Sequence, residues 1–145
     1  MSRKAKIISL IVGGVLLMLA LVSLFIYLIF NIVWKQVDKY QIDERTQTYL
    51  EAIVEADNDK LHSVSYNTDL DVQDLIDALA EHEIVLSGEI ELKRGYSVNI
   101  NIVNGGVSAS VRYTAKVGDD QYTVTVEYAR DDGGDGIRQF YVKPK

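Results

Sequence analysis

The segment YSVNINIVNGGVSASVRYTAKV, residues 96–117, contains the pattern from which the fold can be derived. Apolar and polar side chains alternate on both sides of its centre, as they do in β-strands that bury one face. The central Asn-Gly-Gly, residues 104–106, readily adopts the positive φ angles of a tight hairpin turn. The segment therefore predicts an antiparallel hairpin, with one strand over residues 96–102 and the next over residues 107–117.

The same two-residue period continues on both sides of this hairpin. We predict further strands over Ile84–Lys93, Tyr122–Tyr128 and Ile137–Val142, which together make a meander of about five antiparallel strands. Four tyrosines fall on the apolar faces of these strands and are expected in the core: Tyr96, Tyr113, Tyr122 and Tyr128. A sheet of this kind has one apolar face that other elements must cover.

Two helices are predicted before the sheet, and they are available to cover that face. No Pro or Gly interrupts the stretch after the membrane segment and its apolar residues keep helical spacing, so a juxtamembrane helix is predicted over residues 34–60. A second helix is predicted up to Glu83, with Thr68 or Asp69 as its N-cap. The fold class is therefore α+β: an N-terminal transmembrane helix, then one domain, residues 61–145, with helices packed on an antiparallel sheet.

Residues 7–30 contain no charged side chain, and we predict a transmembrane anchor over residues 7–33. A helix from Ile7 to Phe30 is about 36 Å long, which exceeds the roughly 30 Å of a bilayer's hydrocarbon core. A cleaved signal peptide is the rival interpretation, but its apolar region is typically about 7–15 residues long and ends at a small-x-small site. An uncleaved anchor is favoured, with Trp34 at the depth of an interfacial aromatic residue.

Positive charge crowds the N-terminal side of this anchor. The basic tail, residues 1–6, has three cationic side chains and no acid: Arg3, Lys4 and Lys6. Because an excess of Lys and Arg marks the cytoplasmic side of a span, we expect a cytoplasmic N-terminus and an extracytoplasmic domain at a cell membrane. Ser9 and Gly13 form a small-x-x-x-small pattern that would let a second helix approach closely, although this pattern also arises by chance in such spans.

The net charge of the 145-residue chain is −6, and this charge is unevenly distributed. Residues 35–83 contain 13 acids and 4 bases, whereas residues 84–145 contain 8 of each. A domain this acidic lacks the clustered cations that nucleic-acid binding requires. The chain has no cysteine, which excludes disulfides, thiolate metal sites and cysteine nucleophiles.

No motif in the sequence predicts catalysis or a cofactor. His62 has no nucleophile-elbow sequence near it, and His82 near a helix C-terminus is better explained by the helix dipole. The aspartate pairs within residues 57–59 and 69–71 lack the glycine and the glutamate of a helix–loop–helix calcium site, and the loop that begins at residues 131–136 departs from that pattern at two positions. We therefore predict no catalytic residue, no cofactor and no metal ligand.

Four segments of the domain carry a family resemblance. They are the Gly-Glu-Ile lead-in at residues 88–90, the hairpin and strand over Asn104–Val111, the turn and strand over Val117–Val124, and the closing segment Asp131–Val142. Together with the short N-terminal anchor, these resemble a small single-span family of cytochrome-oxidase assembly factors, whose domain is also similar to a subunit of the mitochondrial presequence translocase. The resemblance implies a non-catalytic, membrane-tethered domain that docks onto other membrane subunits during assembly, without copper or haem delivery.

The sequence thus predicts a non-catalytic, single-pass membrane-anchored interaction module that assists assembly or stability of a membrane protein complex. Its expected partners are the lipid bilayer and other membrane proteins, and neither nucleic acid nor a metal ion is expected. Two alternatives stay open at this point. One is an extracytoplasmic small-molecule or peptide-binding domain of cystatin-like or nuclear-transport-factor-like shape, and the other is a structural subunit of a secretion or conjugation channel.

Overall fold

The computed structural model describes residues 2–145, apart from the side chain of Tyr96. The chain divides into two compact units, Met1–Gln36 and Val37–Lys145, of which the second is here named the lobe. The α+β class is confirmed, since a long apolar helix precedes shorter helices and an antiparallel sheet. The prediction of a buried Tyr96 lies outside the described side chains.

Helix α1 spans Arg3–Lys39 and includes the whole uncharged stretch. Its large apolar side chains between residues 7 and 32 are exposed in the absence of any covering layer. Within residues 2–145, α1 is the one helix that is long and apolar enough to cross a membrane. The α-helical hydrogen bonding of the backbone satisfies its polar groups internally, which a bilayer requires of a spanning segment.

The described part of the lobe contains three further helices before the sheet: α2 (Ile42–Glu55), α3 (Asn58–Val64) and α4 (Val72–Glu81). The stretch predicted as one juxtamembrane helix, residues 34–60, is therefore divided between α1, α2 and the start of α3. The reason is local, because Gln41 (φ 55°) and Ala56 (φ 53°) both adopt the left-handed conformation and so interrupt the helical path.

Helix α4 begins later than the sequence analysis placed it. Its N-cap is Asp71, whose Oδ1 accepts a hydrogen bond from the backbone N–H of Gln73 at 3.0 Å. The prediction of Thr68 or Asp69 as the N-cap is wrong. Only Asp71 stands immediately before the first helical residue, where its carboxylate reaches an N–H that the helix itself leaves unpaired.

Four antiparallel strands form one sheet in the order β1-β2-β3-β4: β1 (Ile90–Val103), β2 (Gly106–Val117), β3 (Asp120–Asp131) and β4 (Gly134–Pro144). The two strands predicted over residues 84–93 and 96–102 are continuous in β1, which begins at Ile90. The register of β1 on β2 shifts at a bulge between Arg94 and Val98 and pairing then resumes. The residues between the two predicted strands, 94–95, therefore bend the strand without ending it.

The predicted hairpin turn is confirmed at the tip of β1 and β2. Asn104 (φ 50°) and Gly105 (φ 81°) are the two turn residues, and both have the positive φ of a type I′ turn. Val103 pairs with Gly106 directly beside the turn. This geometry fixes the register of every residue pair between the bulge and the tip.

The core lies between the helices and one face of the sheet. Residues of β2 and β3 alternate between this face and the other, and Tyr113 and Tyr128 are both buried on it with 1% of their surface exposed, as predicted. Tyr122, near the start of β3, is only partly buried. From α2, the ring of Tyr49 packs on Phe140 of β4 with 5.1 Å between the ring centroids.

Candidate interaction surface

The residues predicted for membrane anchoring and topology all lie on α1. The rings of Phe30 and Trp34 meet edge to face, with their centroids 5.7 Å apart, one helical turn from each other. Ser9 and Gly13 are also one turn apart, and a methyl group built on Gly13 has no atom within 4 Å. The basic residues Arg3, Lys4 and Lys6 occupy the first turn of the helix.

The two histidines occupy structural positions. Nε2 of His62 lies 2.5 Å from the carbonyl oxygen of Leu70 and so joins α3 to the segment that precedes α4. His82 follows the last turn of α4 as its C-cap, and its backbone N–H donates to the carbonyl of Leu79. Among the described residues there is no group of three or more histidines and carboxylates arranged to hold a metal ion.

The acidic loop after β3 is organised by one carboxylate. Oδ1 of Asp131 accepts hydrogen bonds from the hydroxyl of Tyr66 at 2.8 Å and from the backbone N–H of Gly133 at 2.7 Å. The Tyr66 hydroxyl is the main reason that the pKa of Asp131 lies below its usual value. These hydrogen bonds close the turn after β3, so Asp131 has a structural role.

A buried tyrosine holds the start of α2 to the first half of the sheet. The hydroxyl of Tyr113 on β2 donates to Oδ1 of Asp43 at 2.5 Å, and Nε of Arg94 on β1 donates to Oδ2 of the same carboxylate at 2.6 Å. Arg94 also pairs with the carboxylate of Asp38. Asp43 therefore joins two strands to the first turn of α2, where a negative charge is also favoured by the helix dipole.

A second cluster of the same composition holds α2 to the other half of the sheet. The hydroxyl of Tyr128 on β3 donates to the carboxylate of Asp135 on β4, and Nη2 of Arg45 lies 3.3 Å from Oδ2 of that group. The Arg45 guanidinium carbon is 5.5 Å from the centroid of the Tyr128 ring, within the range of a cation–π contact. The two clusters therefore join α2 to both halves of the sheet.

These tyrosines are held in their neutral form. Burial, and then the hydrogen bonds to Asp43 and Asp135, raise the pKa of Tyr113 and of Tyr128 well above the ordinary value. Burial alone raises the pKa of Tyr49 to about 12. The folded lobe therefore retains three phenolic protons at a pH where an unfolded chain has begun to lose them.

Alkaline pH is consequently expected to destabilise the lobe. Because the folded pKa of Tyr49 is about 12 and the model-compound value is 10.0, its contribution is complete below pH 10 and is lost as the pH rises toward 12. The loss is about 1 kcal/mol by pH 11 for this residue alone. Urea unfolding of the wild type and Tyr49→Phe between pH 8 and pH 11 measures it, and the variant should show the smaller decline. Tyrosine absorbance of the folded protein that titrates in one step near pH 10 would contradict the prediction.

The face of the sheet opposite the helices is not covered by any helix of the described lobe. Its exposed or half-buried side chains include many hydroxyls and amides, together with the charged groups of Arg112, Lys116 and Glu127: the uncharged ones are Asn99, Asn101, Ser108, Ser110, Thr114 and Thr125. We name this surface the open face. Hydroxyl and amide groups at this density can exchange hydrogen bonds with water for hydrogen bonds with a protein partner.

Two adjoining grooves cross the open face. One has a volume of about 240 Å³ and the other about 170 Å³, and both are lined by Asn101, Ser108 and Arg138. The register between β3 and β4 shifts at this point: Glu127 pairs with Gln139 and Tyr128 with Ile137, so Arg138 lies between them without a paired residue on β3. The grooves place the guanidinium groups of Arg138 and Arg130 near amides, hydroxyls and the carboxylates of Asp131 and Glu127, a mixed polar lining that can exchange hydrogen bonds with a protein partner.

The two edges of the sheet are finished differently. At the β4 edge, the segment after α3 covers the strand, with Ser65 bridged to Ile137 and the N–H of Tyr66 donating to the Ile137 carbonyl at 2.9 Å. At the other edge, residues 98–103 of β1 form backbone hydrogen bonds with β2 and, within the described residues, with no other segment. The free part of β1 is here named the β1 edge.

Neither the open face nor the β1 edge was predicted as a site from the sequence. A signal was present, since residues 95–111 form a run of 17 residues without one charge in a lobe that is otherwise rich in charge. Alternation alone does not show which strand lies at the edge, because strand order depends on long-range pairing.

No protein-family model, curated protein or solved structure matches this chain. The family resemblance described above therefore stays a prediction.

Proposed function

We propose that the chain is a single-pass membrane-anchored interaction module that assists assembly or stability of a membrane protein complex without catalysing a reaction. The observation that carries this proposal is the open face, a polar surface that no helix of the described lobe covers, opposite the face on which those helices pack. A long apolar helix at the N-terminus supports a tether.

The proposed location is a cell membrane, with the N-terminus in the cytoplasm and the lobe outside it. The three basic side chains of the first turn, Arg3, Lys4 and Lys6, support this orientation, because Lys and Arg crowded at one end of a span favour the cytoplasmic side. The proposed partners are other membrane proteins, which the lobe meets beside the bilayer. Tethering supports such contacts, since it raises the effective concentration of a weakly binding surface.

Site-specific photo-crosslinking in native membranes tests the proposal. A photoreactive residue at Ser110, in the middle of the open face, is expected to give one discrete adduct with a membrane protein. The matched control carries the same residue at Asp77, which is exposed on α4. Equal adducts from both positions, or recovery of the chain alone from Ser110 and from detergent-solubilised membranes, would contradict the proposal.

The ligand-binding alternative is less well supported. A tyrosine-lined cavity between helices and sheet would favour it, but Tyr113 and Tyr128 are buried there and their rings are part of the packed core. Their hydroxyls are also engaged, by Asp43 and Asp135. Polar grooves of the described lobe lie on the open face and also between α2 and the start of β1, where a groove of about 560 Å³ is lined by Gln47, Glu51 and Lys116 among others. Neither position is a cavity enclosed between helices and sheet.

A further inference from the structure

The β1 edge has a defined set of free backbone groups. In an antiparallel ladder, hydrogen-bonded pairs alternate with pairs that are not hydrogen-bonded. The two-residue turn makes Val103–Gly106 a hydrogen-bonded pair. The backbone groups of Val98, Ile100 and Ile102 therefore point away from β2, which leaves three N–H donors and three carbonyl acceptors at the edge.

The β1 edge lacks the features by which proteins prevent exposed sheet edges from pairing with other strands. Proteins protect edges with charged side chains, proline, bulges or a covering segment. β4 has several of them, namely Arg138, Lys143 and Pro144 and the covering segment at Ser65. The bulge of β1 lies before Val98, so the edge beyond it is regular, and its residues 98–103 carry no charge and no proline.

The sequence of the β1 edge is complementary to itself. If two copies align antiparallel about Ile100, then Val98 lies opposite Ile102 of the second copy and Asn99 lies opposite Asn101 of the second copy. Apolar side chains then meet on the core side, amides meet on the open face, and no like charges oppose each other. The two Asn99–Asn101 pairs would be the close, non-hydrogen-bonded kind, with side chains near enough for amide–amide hydrogen bonds.

We propose that the β1 edge binds the β1 edge of a second copy of this chain, in antiparallel register about a two-fold axis at Ile100. The two sheets become one sheet of eight strands, with six backbone hydrogen bonds across the new junction. A closed two-fold contact uses both edges and leaves no further β1 edge exposed, so it produces a dimer and not a filament. The inference goes beyond the proposed function, since it requires no other partner.

The junction sets distances that spin labels can measure. Neighbouring strands are about 4.8 Å apart, so labels on β3 are separated by five strand spacings and labels on β4 by seven, roughly 24 and 34 Å. Glu127 and Gln139 stand side by side on β3 and β4 and face the open side. The chain contains no cysteine, so Glu127→Cys and Gln139→Cys can each be labelled alone.

The experiment uses the full-length chain in detergent micelles and in nanodiscs. A dimer with interlabel distances that differ by about 10 Å between the two positions is expected. A monomer at all accessible concentrations overturns the proposal, as does a dimer with equal distances at the two positions.

Two charge variants test the register without disturbing the fold, because Asn99 and Asn101 are both exposed. Asn99→Lys with Asn101→Lys places like charges opposite each other twice and should weaken the dimer about tenfold. Asn99→Asp with Asn101→Lys places opposite charges there and should retain it. Equal dimer affinities for the two variants overturn the proposed register. A dimer that is lost in Gly13→Leu but retained in both Asn99/Asn101 variants assigns association to α1 instead. If the dimer forms although a photoreactive residue at Ser110 captures no other protein, this inference is supported while the proposed function is contradicted.

Discussion

Replacing Gly136 by alanine is expected to lower the free energy of unfolding by roughly 3 kcal/mol, at the upper end of what overpacking a well-filled site costs. A Cβ at this position would lie 2.5 Å from the backbone carbon of Ser65 and 2.7 Å from the carbonyl oxygen of Val64. Both obstacles are backbone atoms, so no rotamer change relieves them. The segment that covers the β4 edge must move away, and the hydrogen bond from Tyr66 N–H to Ile137 is then lost.

Gly106→Ala is the matched control for this substitution. Gly106 also lies in a strand, but its added methyl group would be no closer than 3.4 Å to another atom, and its backbone requires no positive φ. Alanine there is expected to be neutral or to stabilise by a few tenths of a kcal/mol, because it restricts the unfolded chain. Urea unfolding of the two variants beside the wild type measures both effects. Equal midpoints for Gly136→Ala and Gly106→Ala would show that the covering segment adjusts without loss.

Local sequence patterns predict those parts of the lobe that local physics determines. Alternation and the Asn-Gly turn place β2 and the hairpin tip correctly, since side-chain period and turn type act over a few residues. The break at Gln41 could not be predicted in this way. Glutamine has no intrinsic preference for the left-handed conformation, and a local hydrogen bond across the break, from Nε of Arg45 to the Tyr40 carbonyl at 3.1 Å, helps to offset its cost.

The two tyrosine clusters show why the packing could be predicted only in part. Burial of Tyr113 and Tyr128 follows from their positions on apolar strand faces. Their partners Asp43 and Asp135 are 70 and 7 residues away, and nothing in a single sequence distinguishes these two carboxylates from the other acids. Selecting Asp43 across 70 residues requires the folded topology, and selecting Asp135 across 7 residues requires the shifted register of β3 on β4.

The same reasoning explains why the candidate surface was missed. An open face and a free edge are defined by what does not pack against them, and this depends on where every other element goes. Ser65 illustrates the dependence, because its bridge to Ile137, 72 residues further along the chain, is what covers the β4 edge. Once that edge is covered, the uncharged β1 edge becomes the exposed site for strand pairing.

Charged residues in the middle of α1 are expected to have the largest effect on location. The chain's uncharged stretch contributes at most about −5 to −10 kcal/mol to insertion, and a lysine at the bilayer centre costs roughly 3 kcal/mol. Replacing Leu16, Leu19 and Leu21 by lysine therefore costs about 9–12 kcal/mol and removes most or all of the driving force. The triple variant should move from the membrane pellet to the supernatant on washing with alkaline carbonate.

The matched control replaces the same three leucines by isoleucine, which keeps the helix apolar and should leave the chain in the pellet. An anchor and a cleaved signal peptide are both apolar helices near an N-terminus, so composition alone does not distinguish them. Carbonate washing combined with N-terminal sequencing does. An anchored chain keeps its basic first turn, so N-terminal sequencing of the membrane-bound protein should begin before Arg3. A mature chain that begins after Phe30, or wild type washed free by carbonate, would remove the tether on which the proposed function depends. The lobe would then have to find its partners by diffusion, without the increase in effective concentration that tethering supplies.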